Sequence, residues 1–151
     1  MVVERIVSGG QTGVDRAALD LALSRGIPCG GWCPKGRLAE DGVIPERYPL
    51  TETPGPDYAE RTAWNVRDSD GTLVLTSGPP TEGTAFTVTV AQSVRKPCLV
   101  IDLAGIYDPH EVAEWLARHG IRILNVAGPR ASKVPGIHEE ALRFLESIFQ
   151  K

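Results

Sequence analysis

Five short apolar runs, rich in β-branched residues, punctuate the chain at 3–8 (VERIVS), 27–32 (IPCGGW), 72–76 (TLVLT), 97–101 (PCLVI) and 121–126 (IRILNV). Most are continuously apolar rather than alternating, as strands covered on both faces are. Between and after them the pattern lengthens to helical spacing over 13–25, 57–68, 84–95, 109–119 and 137–150. In the first of these, Val14, Ala17, Ala18, Leu21 and Ala22 form one stripe, with Thr12 in the N-cap position, Asp15 three residues on and Arg25-Gly26 as a stop. Ile137, Ala141, Leu142, Leu145, Ile148 and Phe149 repeat the stripe in the last.

Strands alternating with helices of this length imply parallel neighbours joined by right-handed crossovers. The prediction is a single-domain, doubly wound, Rossmann-like α/β fold across 1–151, with a parallel five-stranded sheet and helices on both faces. Numbering the runs along the chain, the expected order is 2-1-3-4-5, with the first and third runs adjacent where the winding reverses. The stretch from Pro34 to Pro56 breaks the rhythm with Pro45, Pro49 and Pro54. It reads as a long ordered loop over the strand ends, either a binding segment or a surface insertion.

Composition narrows the class. Sixteen Lys and Arg against 19 Asp and Glu give a net charge of -3, without the basic excess of a nucleic-acid surface. The start carries no basic and apolar leader, and no apolar stretch approaches the roughly 18 residues of a membrane span, so the expectation is a cytoplasmic protein with no membrane partner. Three cysteines (Cys29, Cys33, Cys98) suit a reducing compartment. No second Cys or His pair accompanies Cys29 and Cys33 at finger-like spacing, and His110, His119 and His138 are scattered, so no protein-ligated metal is expected.

The candidate chemistry lies in two glycine loops, "SGGQTGVD" (8–15) after the first strand and "SGPPTEGTAF" (77–86) after the third. Each leads into a helix N-terminus, where free N–H groups and the helix dipole favour an anion. The expected phosphate cradle is Gly9, Gly10, Thr12 and Gly13 from one loop with Ser77, Gly78, Gly83 and Thr84 from the other. Lys35, Arg37, Arg61 and Arg130 follow strands or share a helix face near the same edge and could serve as charge partners. Asp15 and Glu82 oppose an anion locally; they could accept from a ribose or base, hold a metal beside phosphates, or cap a helix. Neither loop matches the dinucleotide fingerprint or a Walker loop.

Together, "SGGQTGVDRAALDLAL", "GGWCPKGRLAEDGVIPERYPL", "RTAWNVRDSDGTLVL", "GTAFT" and "NVAGPRAS" resemble the molybdenum (cofactor) carrier family, part of the Rossmann-like superfamily that also contains the lonely-guy phosphoribohydrolases. The resemblance implies an α/β protein, a homo-oligomer, that binds a phosphorylated small molecule, either molybdenum cofactor (molybdopterin) or a nucleotide derivative, at the glycine loops. Lonely-guy enzymes carry a "PGGxGTxxE" motif whose Glu serves in glycosidic cleavage. Here "GPPTEGTAFT" places Thr87 in that position, and a threonine supplies no carboxylate for acid–base work. A binding protein is thus expected before a nucleotide-processing hydrolase, with Glu82 or Asp15 as the acids left to the latter.

Overall fold

In a computed structural model, residues 3–149 are described. Gln150, which the periodicity includes in the last helix, lies outside them. Five parallel strands build the central sheet: β1 (Arg5–Val7), β2 (Cys29–Gly30), β7 (Gly71–Thr76), β8 (Cys98–Asp102) and β9 (Ile123–Ala127). Five helices flank it: α1 (Val14–Arg25), α2 (Tyr58–Arg67), α3 (Glu82–Ser93), α4 (Pro109–Arg118) and α5 (Ile137–Ile148). The architecture is the predicted Rossmann-like α/β sandwich. No helix of the described residues is long and apolar enough to cross a membrane.

One face is closed by α1, α4 and α5. Ala17, Ala18, Leu21 and Ala22 of α1 and Ala141 and Leu145 of α5 bury fully against Leu73, Leu75, Leu124 and Val126 of the sheet. Gly26 ends α1 in the left-handed conformation, its N–H reaching the carbonyls of Ala22 and Leu23, as the Arg-Gly signal predicts. The opposite face carries α2 and α3. Here the buried residues of α3 are the small Thr84, Thr87 and Ala91, and the sheet offers Thr72 and Asn125, joined by a hydrogen bond of 3.2 Å.

The strand order is β2-β1-β9-β7-β8, which in the numbering of the runs is 2-1-5-3-4. This corrects the expected 2-1-3-4-5: the fifth run is inserted between the first and third. Its position brings α5 beside α1, the most extensive helix pair in the molecule, so the apolar stripes of both share one core. The run 27–32 is also divided. After β2, Gly31 (φ +127°) turns the chain away and β3 (Trp32–Cys33) pairs with β6 (Thr51–Glu52) in a separate ribbon.

The proline-rich segment is ordered. It forms β3, a hairpin of β4 (Leu38–Ala39) and β5 (Gly42–Val43), and β6. Cys33, Ala39, Ile44 and Tyr48 pack around Leu19 of α1 in a second apolar cluster. Arg37 organises the segment, donating from its guanidinium to the carbonyls of Ile44, Pro45, Tyr48 and Leu50. That guanidinium is therefore a scaffold for the loop rather than a charge facing the strand ends.

Candidate functional site

A cavity of about 310 Å³ opens at the carboxyl ends of β1 and β9 and extends between α2 and α3. Asn125, Val126 and Ala127 form its floor, Arg61, Thr62 and Asn65 one wall, and Thr81 to Thr87 the other. Because β9 stands between β1 and β7, the two glycine loops do not adjoin; the turn Gly128–Lys133 separates them, and all three reach the cavity.

At the first loop most of the amides near the start of α1 are already bonded. The N–H of Gln11 donates to Asp15 (3.3 Å), that of Thr12 to the Gln11 side chain (3.0 Å) and that of Val14 to the Pro129 carbonyl (3.3 Å). Gly13, not Thr12, is the N-cap. The Thr12 hydroxyl instead donates to Glu40 and accepts from the Ala131 N–H (3.0 Å). Glu40 also binds the Ser132 N–H (3.1 Å) and hydroxyl and lies 3.3 Å from Arg130. Desolvation alone would raise its pKa, but the hydrogen bonds from Ser132 and Thr12 prevail and hold it below the usual range. The chain thus supplies its own carboxylate beside the first loop.

The start of α3 differs. The N–H groups of Thr84 and Ala85 return to the Thr81 carbonyl (3.1 and 3.3 Å), whereas those of Glu82 and Gly83 have no partner among the described residues, and the Thr81 side chain does not cap. Here the positive end of the dipole is open. Behind it, Arg61 lies 3.5 Å from Asp15 and donates to the Gly9 carbonyl (3.1 Å). Both side chains are nearly buried, at 12% and 10% exposure. Burial pushes the Asp15 carboxyl above its ordinary pKa, against the opposing pull of Arg61 and the Gln11 N–H.

Of the residues expected at the site, Gly9, Arg61, Glu82, Gly83, Thr84 and Arg130 line the cavity. Gly10, Thr12, Gly13, Lys35, Ser77 and Gly78 stand outside its wall. A side chain at Gly10 would strike Leu50 and Ile44, so this glycine lets the proline-rich segment close over the loop. Gly78 is drawn toward β8, its N–H donating to Asp102 (2.8 Å), and Lys35 is exposed on the far ribbon. Sequence reasoning missed Gln11, Asn125, Lys133 and the aromatic rim of Tyr58 and Phe86. A signal for Asn125 existed: it is an amide inside the apolar run "ILNVA", which in a buried strand demands a partner.

The sheet, the crossovers and a cavity at the carboxyl ends of its strands place the molecule among Rossmann-like α/β proteins. A family model described as the circularly permutated YpsA SLOG family matches residues 6–149, and the chain belongs to that family. The crystal structure of a putative molybdenum carrier protein from Syntrophus aciditrophicus SB is 48% identical, with a TM-score of 0.95 and alignment over 98% of this chain and 96% of that one. No curated protein matches.

Proposed function

We propose that this protein is a binding or carrier protein for a small phosphate-bearing molecule, a molybdenum cofactor or a nucleotide derivative, held between α2, α3 and the turn after β9. One observation carries the reading. Thr84, Asn125 and Gln11 are 8%, 3% and 9% exposed and line the cavity, yet the Thr84 hydroxyl, the Asn125 carbonyl oxygen and the Gln11 NH₂ make no hydrogen bond to the described residues. No fully buried side-chain polar atom among the described residues lacks a partner, so these three atoms keep access to solvent, and the cavity their residues line leaves them free for a ligand.

In this reading the phosphate sits at the start of α3, on the N–H groups of Glu82 and Gly83 and the Thr84 hydroxyl, with Arg130 and Lys133 nearby. Asn125 and Gln11 suit the polar edge of a heterocycle, and the half-exposed rings of Tyr58 and Phe86 give it a stacking surface. The name of the Syntrophus protein supports a carrier role. Among the described residues no group of three His, Cys, Asp or Glu could hold a metal ion; the donors present suit a pterin and its phosphate, and the cofactor's dithiolene would keep its own metal.

The test is thermal unfolding with a bound probe, guided by native mass spectrometry of freshly purified protein to identify what it carries. A ligand at 100 times its Kd stabilises by about 2.7 kcal/mol. Thr84→Val is expected to unfold near the wild-type temperature while losing most of that gain; an undiminished gain removes Thr84 from the site. Asp15 favours a second reading, a nucleotide hydrolase, because a buried carboxyl with a raised pKa in a cavity is a candidate acid. Turnover of a nucleoside monophosphate, abolished by Asp15→Asn, would establish it over the carrier reading.

A further inference from the structure

Each of the three cations at the cavity already faces a carboxylate of the chain: Arg61 faces Asp15 at 3.5 Å, Arg130 faces Glu40 at 3.3 Å and Lys133 faces Glu82 at 2.7 Å. An incoming anion must therefore compete with one of these carboxylates.

The three pairs are unequal. Asp15 is buried and also holds the Gln11 N–H. Glu40 is anchored by Thr12 and by both the main chain and hydroxyl of Ser132. The Glu82 side chain is 61% exposed and its carboxylate has Lys133 as its partner among the described residues. Exposed pairs of this kind are easily broken. Glu82 also has φ +48°, a left-handed backbone unfavourable to a residue with a Cβ, at the point where the open N–H groups begin. Thr84, 8% exposed, lines the same space, and its hydroxyl has no hydrogen-bond partner among the described residues.

We propose that Glu82 is a resident stand-in for the ligand's phosphate, and that Lys133 is the cation exchanged between them. In the free protein Glu82 neutralises Lys133; a phosphate monoester displaces the carboxylate into solvent and takes Lys133 together with the Glu82 and Gly83 amides and the Thr84 hydroxyl. This rests on the binding reading above and deepens it. Competition with a built-in carboxylate makes the site selective for charge: a phosphate dianion outcompetes Glu82 more readily than does a monoanion.

The experiment titrates ¹⁵N-labelled protein with inorganic phosphate, following the Gly83 and Thr84 amide signals in wild type, Glu82→Gln and Lys133→Met, with acetate as the monoanion control. Glu82→Gln is expected to bind phosphate about threefold tighter and Lys133→Met about tenfold weaker, with acetate weaker than phosphate in the wild type. If phosphate moves these amides but Glu82→Gln binds no tighter, Lys133→Met no weaker, or acetate as well as phosphate, the exchange is overturned and the binding site stands. If phosphate moves neither amide in any of the three proteins, the phosphate site at α3 fails and the exchange with it.

Discussion

Gly13→Ala is expected to destabilise the protein by about 4 kcal/mol, combining backbone strain with a main-chain collision. Gly13 has φ +83° and ψ -129°, a region essentially reserved for glycine. A Cβ there would lie 2.4 Å from the Pro129 carbonyl oxygen and 2.9 Å from the Ala131 nitrogen, and neither main-chain atom can yield without opening the contact between α1 and the turn after β9. The Val14 N–H to Pro129 bond would go with it. For a chain of this size the melting temperature should fall by about 8–16 °C. Gly83→Ala, in the other glycine loop, is the control. Nothing lies within 4 Å of a Cβ at Gly83 and its φ is not positive, so its effect should stay within about 0.5–1 kcal/mol, in the stabilising direction. Urea denaturation of the two variants checks the contrast; similar losses would show that the first loop is not tied to the turn after β9.

Arg61→Met is expected to cost about 3 kcal/mol at pH 8, the loss typical when one partner of a buried pair is removed. The variant leaves Asp15, 7% exposed, with the Gln11 N–H but without its cation. The dependence on pH follows from the direction of the Asp15 shift. Its folded pKa already lies above the unfolded value, so the folded state binds more protons between the two and stability falls as pH rises through the folded pKa. Removing Arg61 raises that pKa further. The deficit against wild type should therefore be largest at high pH and shrink as the pH falls through the raised pKa of the variant, where Asp15 takes up its proton. Asp15→Asn in the Arg61→Met background should recover much of the loss. Urea denaturation over a pH series from pH 8 down to the acid limit of the fold decides: a deficit that does not change with pH would assign the loss to packing rather than to charge.

The elements were readable because the burial pattern of each is local. Continuous apolar runs marked the strands, and the Ala-Leu stripe of α1 and the Ile-Leu stripe of α5 marked two helices to within two residues at each end within the described chain. Asp57 and Asp108 do cap α2 and α4 through their side chains, a signal present in the sequence and unused. Part of the candidate site was readable for the same reason. Glycines and hydroxyls at a strand-to-helix turn report an approachable backbone, and Gly83, Thr84 and Arg61 do line one cavity.

What the sequence by itself determined is the layered α/β architecture, since periodicity and turn chemistry act over a few residues and need no partner to be recognised. Tertiary structure alone decided that β9 enters the middle of the sheet, that Glu40 from a distant hairpin reaches Thr12 and Ser132 beside one helix start, and that the start of α3 keeps open amides. The physical reason is the range of the forces concerned. Which strand lies beside which depends on how whole helix faces share a core, and which carboxylate reaches which hydroxyl or N–H depends on contacts such as that between Glu40 and Ser132, 92 positions apart.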